Sequence, residues 1–139
     1  MPPSTGSYKL YTDGGARGNP GPAAIGGVLL SPRGEVLYEF SERIGSTTNN
    51  QAEYRALLHG LQEARKHEIF LLTCYLDSEL VVEQLNFRYK VKDRDLAELF
   101  ARIHAVRTGF SSITFTHIPR TKNNRADALV NKALDAKET

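Results

Sequence analysis

The apolar positions change period along the chain, and the change divides it into two halves. Residues 8–12 form a short β-rich run that ends at Asp13. Residues 14–22, rich in glycine and proline, read as a loop. Residues 24–30 read as a strand, residues 31–34 as a turn, and residues 36–44 alternate as a third strand. These three segments predict an antiparallel meander. The period then lengthens. Thr47-Thr-Asn-Asn50 offers N-cap residues, and residues 51–67 carry Tyr54, Leu57, Leu58, Leu61 and Ala64 at helical spacing. Residues 69–76 are apolar apart from Thr73, which suits a strand buried on both faces in a parallel sheet. Asp77-Ser78 ends it and can cap a short helix to about residue 86. Residues 88–94 read as a basic loop. Residues 95–108 are helical by the spacing of Leu96, Leu99, Phe100, Ile103 and Val106. Residues 113–118 alternate as a strand, 119–123 form a loop, and 124–136 form a last helix. The order β-β-β-α-β-α-α-β-α predicts an α/β fold with a five-stranded mixed sheet flanked by helices.

Composition narrows the class. The chain has 139 residues, 40% hydrophobic and 24% charged, which suits one globular domain over residues 8–136 behind a loose tail at 1–7. No stretch approaches the ~20 apolar residues of a membrane span, and the first residues do not resemble a secretory signal. Cys74 is the single cysteine, so an intrachain disulfide and a cysteine-rich zinc site are excluded. A reducing, cytoplasmic setting follows. The net charge of +2 says little, but the basic residues are unevenly placed. Arg88, Lys90, Lys92 and Arg94 surround Tyr89, and Arg120, Lys122 and Arg125 follow His117 without an acid between them. Such patches can meet phosphates or can simply be solvated loops.

Four acids stand at element boundaries: Asp13 and Asp77 after strands, Glu53 and Asp127 in first helical turns. Each has a structural alternative. Asp13-Gly14 can be a tight turn, Glu53 can close a capping box with Asn50, Asp77 can be an N-cap, and Asp127 can complement a helix dipole. Together they suggest more. If the first and fourth strands are neighbours, Asp13 and Asp77 lie side by side, and divalent ions would relieve their repulsion. Oxygen-only ligation favours Mg²⁺ or Mn²⁺, and two such ions can hold the attacking and leaving oxygens of a phosphodiester. The glycine-rich loop lacks Gly-Lys-Ser/Thr and is followed by prolines, so it is neither a P-loop nor a dinucleotide fingerprint.

Four segments resemble the signatures of ribonuclease H type 1, in family order. They are Tyr11-Thr-Asp-Gly-Gly-Ala-Arg-Gly-Asn-Pro-Gly-Pro22, Thr47-Thr-Asn-Asn-Gln-Ala-Glu-Tyr54, Leu76-Asp-Ser78 and His117-Ile-Pro-Arg-Thr-Lys-Asn-Asn-Arg-Ala-Asp127. The resemblance implies a ribonuclease H-like fold and a monomeric endonuclease that cleaves the RNA strand of an RNA/DNA hybrid with two metal ions. Its products would carry 5′-phosphate and 3′-hydroxyl ends. It places Asp13, Glu53, Asp77 and Asp127 as metal-binding acids. Substrate contacts are implied at Gly14, Gly18, Asn19, Asn49, Asn50, Ser78 and Asn123, with Glu53 near the RNA 2′-hydroxyl.

Three departures point to a short form without the family's basic protrusion. Only residues 86–94 occupy the place of that protrusion. Glu79 stands where many members have glutamine. The family's mobile histidine has His117 at the right spacing, but alternation puts His117 on the face of Ile113 and Phe115, where packing would hold it. Arg120, in the loop, is then the expected helper of catalysis. Two alternatives stay open: a silent hybrid-binding module, and another nuclease on the same fold.

Overall fold

The computed structural model describes residues 6–136, so residues 1–5 of the expected tail lie outside the described residues. Five strands form one sheet in the order β3-β2-β1-β4-β5. They are β1 (Tyr8–Ala16), β2 (Gly21–Leu30), β3 (Val36–Thr47), β4 (Leu71–Leu76) and β5 (Ser112–His117). The first three are antiparallel neighbours, while β4 runs parallel to β1 and β5 parallel to β4. The helices are α1 (Asn49–Lys66), α2 (Glu79–Leu85), α3 (Arg94–Arg107) and α4 (Asn124–Asp135), with a 3₁₀ turn at Arg120–Lys122.

The sheet is mixed because the first three strands join by short turns, whereas β4 and β5 are each reached through helices. The main core lies between the sheet and α1, α2 and α3. Leu10, Leu57, Leu61, Leu72 and Ile103 are buried there. On the other face α4 sets Val130 and Ala133 against Ala24 of β2. Cys74, central in β4, is fully buried, and burial pushes its thiol well above the ordinary value.

Four expectations are corrected here. First, β1 does not stop before Asp13. It runs on through Gly14-Gly15-Ala16, paired with Ile25, Ala24 and Ala23, and leaves only residues 17–20 as a turn. Small residues there are strand positions under close-packed helices, not loop residues. Second, β4 is buried on one face only. Leu72, Cys74 and Leu76 are buried, but Leu71, Thr73 and Tyr75 are half-buried, since α4 packs on β1, β2 and β3 and leaves β4 largely uncovered. Third, α1 begins earlier than expected. Thr48 is its N-cap and accepts from the Gln51 N–H at 3.2 Å, so Glu53 falls in the second turn. Fourth, His117 is exposed rather than packed. Its strand face is buried at Phe115 and opens to solvent one step later, where β5 ends.

Candidate active site

The parallel pairing of β1 with β4 brings the acids together. Tyr11 faces Tyr75 across the ladder. Asp13 and Asp77 lie two residues further along their chains and therefore share a face. Glu53 comes from α1, which crosses β1 at Gly14 with almost no gap. A Cβ on Gly14 would lie 2.2 Å from the Ala52 carbonyl oxygen. That contact lets the Gly14 N–H donate to Glu53 Oε1 at 2.8 Å and to Asp13 Oδ1 at 3.0 Å. Asp13, Glu53 and Asp77 each offer an oxygen within 4.8 Å of the others.

This geometry dismisses three of the structural alternatives. Asp13 is inside a strand, so it is no turn residue. Glu53 closes no capping box, because the cap is Thr48. Asp77 is not the cap of α2; Ser78 is, accepting from the Val81 N–H at 3.3 Å. Asp127 does sit in the first turn of α4, and it lines the same cleft beside the other three.

Burial raises Asp13 to about 6, with Asp77 and Asp127 adding repulsion. Burial and the neighbouring Asp13 also hold Glu53 well above the usual carboxylate range. Both acids therefore resist ionisation together when no cation is present. Glu53 Oε2 is buried without a hydrogen-bond partner. An orphaned carboxylate oxygen among two further acids is what a hard divalent cation satisfies, so the residues present fit such ions.

Asn123 is buried, and its amide donates to the Thr12 carbonyl at 2.9 Å and to Asp77 Oδ2 at 2.8 Å. It braces Asp77 against β1. Gly14 is likewise buried, its N–H spent on the two acids. The surface contacts are arranged differently. Asn19 Oδ1 accepts from the Asn49 N–H at 3.0 Å, and Asn49 Oδ1 accepts from the Ala16 N–H at 2.8 Å. These bonds tie the β1–β2 turn to the start of α1. Gly18 gives that turn its left-handed residue, with φ of 98°. Gly18 and Asn19 are exposed, Asn50 is half-buried, and Asn49 and Ser78 line the cleft.

Arg120 also lines the cleft, donating to Asp127 Oδ1 at 3.3 Å, whereas His117 is not among the lining residues. The cleft is open and polar, about 300 Å³. A larger hollow of about 590 Å³, between α3 and β5, holds no acids. Sequence reasoning missed Arg17, a further cleft residue. Its place between Asp13 and Asn19 in the first signature was the only signal available.

A family described as reverse transcriptase-like matches residues 11–133. Ribonuclease HI of Halobacterium salinarum is 44% identical over 135 residues, covering 97% of this chain and 68% of that protein. A bifunctional protein of Mycobacterium tuberculosis is 45% identical over 128 residues, 91% of this chain but 35% of that protein. Among solved structures, LC11-RNase H1 in complex with an RNA/DNA hybrid superposes with a TM-score of 0.88 at 46% identity, over 93% of this chain and 97% of that one.

Proposed function

The chain belongs to the ribonuclease H family, and from that premise we propose that it is an endonuclease hydrolysing the RNA strand of RNA/DNA hybrids to 5′-phosphate and 3′-hydroxyl ends. One observation carries the reading: three acids, on β1, on α1 and just past the end of β4, converge within 4.8 Å, with a buried Glu53 oxygen unpartnered. Asp13, Glu53, Asp77 and Asp127 would hold two divalent ions, and oxygen-only donors suit Mg²⁺ or Mn²⁺. The chemistry such ions supply is activation of a water and neutralisation of charge on the departing 3′ oxygen.

The chain's own residues prepare the site. The Gly14 N–H orients Asp13 and Glu53, and Asn123 fixes Asp77. Asn19, Asn49, Asn50 and Ser78 surround the cleft with groups that suit sugar edges, where the 2′-hydroxyl distinguishes RNA from DNA. Arg88, Lys90 and Lys92 are exposed near Tyr89 and suit the phosphates of the second strand. Arg120 supports the reacting phosphate, since its largely exposed guanidinium lines the cleft and offers a planar fork of donors that suits phosphate. All four acids come from one chain, which suits a monomer. The single, buried Cys74 suits a reducing compartment such as the cytoplasm. Among the described residues, no helix is long and apolar enough to cross a membrane.

Incubation with a hybrid labelled on its RNA strand tests the reading. Cleavage is expected with Mg²⁺ or Mn²⁺ and none with EDTA. Binding without cleavage under every metal condition would make the chain a silent hybrid-binding module. Arg120→Ala is expected to lower turnover more than His117→Ala; the reverse order gives the helper role to the histidine.

A further inference from the structure

Arg17 opens the turn after β1, where its N–H donates to the Pro22 carbonyl at 2.8 Å. Its side chain reaches across the cleft mouth to α4. One guanidinium nitrogen lies 2.6 Å from Asp135 Oδ1 and 3.5 Å from Asn131 Oδ1. Asp127, Asn131 and Asp135 follow one another at four-residue steps, on one face of the helix. Arg120 is paired with the first of them and Arg17 with the last. The two arginines therefore stand about 12 Å apart along the helix axis, with the carboxylate cluster opening between β1 and that face.

A purely structural role accounts poorly for this arginine. The end of α4 is already clasped by Arg43, which donates to the carbonyls of Ala133, Leu134 and Ala136. The Arg17–Asp135 pair is at least half exposed on both sides, and solvent-exposed pairs of that kind stabilise a fold little. A guanidinium is also a planar fork that matches phosphate better than a single carboxylate oxygen holds it.

Resting on the hybrid-nuclease reading of this cleft, we propose that Arg17 binds a phosphate of the cleaved strand beside the scissile position, and that Asp135 competes with that phosphate for the guanidinium. Asp135 then parks the side chain over α4 until a nucleic acid takes it. Arg17 acts on affinity, and Arg120 on turnover.

Hybrid binding in EDTA over a salt series tests this with Arg17→Ala, Asp135→Asn and the double variant. Arg17→Ala is expected to weaken binding roughly fivefold and to lower the salt slope by about 1. With Mg²⁺ it raises KM and leaves kcat nearly unchanged. Asp135→Asn is expected to tighten binding roughly threefold when Arg17 is present and not at all when it is alanine. Arg17→Gln, which keeps the reach to Asn131, is expected to match Arg17→Ala and guards against a folding artefact. An unchanged affinity and slope for Arg17→Ala overturns the proposal. Equal tightening by Asp135→Asn in both backgrounds overturns it too, because the effect is then bulk charge. If the unaltered chain binds no hybrid, the nuclease reading itself fails, and this inference with it. Steep salt dependence in the unaltered chain with no loss in the variants defeats the Arg17 assignment alone.

Discussion

At Asp13, burial works against the charge that metal binding needs. Its carboxyl is raised to about 6 by desolvation and by its acidic neighbours, against an ordinary value near 4. Without metal, the folded chain keeps a proton that the unfolded chain releases. Stability from this group is therefore present below about pH 4 and is lost as pH rises through about 6, by at most ~3 kcal/mol. Asp13→Asn keeps the shape and removes the penalty. In EDTA at pH 8 the variant is expected to melt higher than the unaltered chain, with the gap closing toward pH 4. Mg²⁺ is expected to raise the melting temperature of the unaltered chain and hardly that of the variant, while hybrid cleavage by the variant nearly vanishes. Thermal melts at the two pH values, with and without metal, check the sign. A variant that melts lower in EDTA at pH 8 would falsify the burial penalty, and near-normal turnover of Asp13→Asn in Mg²⁺ would remove Asp13 from the metal site.

Between elements, the site depends on backbone contact at two glycines. Gly14 admits α1 on one face of β1. Gly26, paired with Asp13, admits α4 on the other, where a Cβ would lie 2.8 Å from Ala126 O and Val130 N. Any side chain at Gly14 must push α1 outward and carry Glu53 with it. Gly14→Ala is expected to cost about 1–3 kcal/mol as an overpacked contact and to lower cleavage more than stability alone explains. Gly15 is the control one residue away. A Cβ there meets nothing closer than 3.8 Å, so Gly15→Ala is expected to be nearly neutral in urea unfolding. Equal losses at both positions would show that glycine flexibility, not helix approach, is what matters. The same contacts explain why residues 14–16 read as loop from sequence. Glycine is scored as a turn residue when its neighbours are unknown, and the helix that makes it a strand residue begins more than thirty positions later.

Across the whole molecule, what was legible followed from local pattern. The element order, the side-by-side placement of Asp13 and Asp77, and Arg120 as one arginine of the cleft wall were all within reach of a single chain. The first two needed only helical or strand spacing and one parallel neighbour, whereas Arg120 was pointed to by the resemblance of the fourth signature. Long-range roles were not legible. Asn123 looks like a loop residue until the Thr12 carbonyl, 111 positions away, accepts its amide. Arg17 looks like part of a turn until Asn131, 114 positions away, meets it. The exposure of His117 was missed because alternation assigns a face without saying where the covering helices end. The central strand has a further consequence. Cys74 sits in β4 between β1 and β5, its thiol fully buried and hard to ionise. A disulfide reagent reaches that sulfur only when the middle of the sheet opens, so native-state thiol exchange times global opening at the very strand that presents Asp77. Cations held by Asp13, Glu53 and Asp77, as proposed, would lengthen that time the more tightly they bind, which would make one cysteine an internal clock for metal occupancy that needs no substrate.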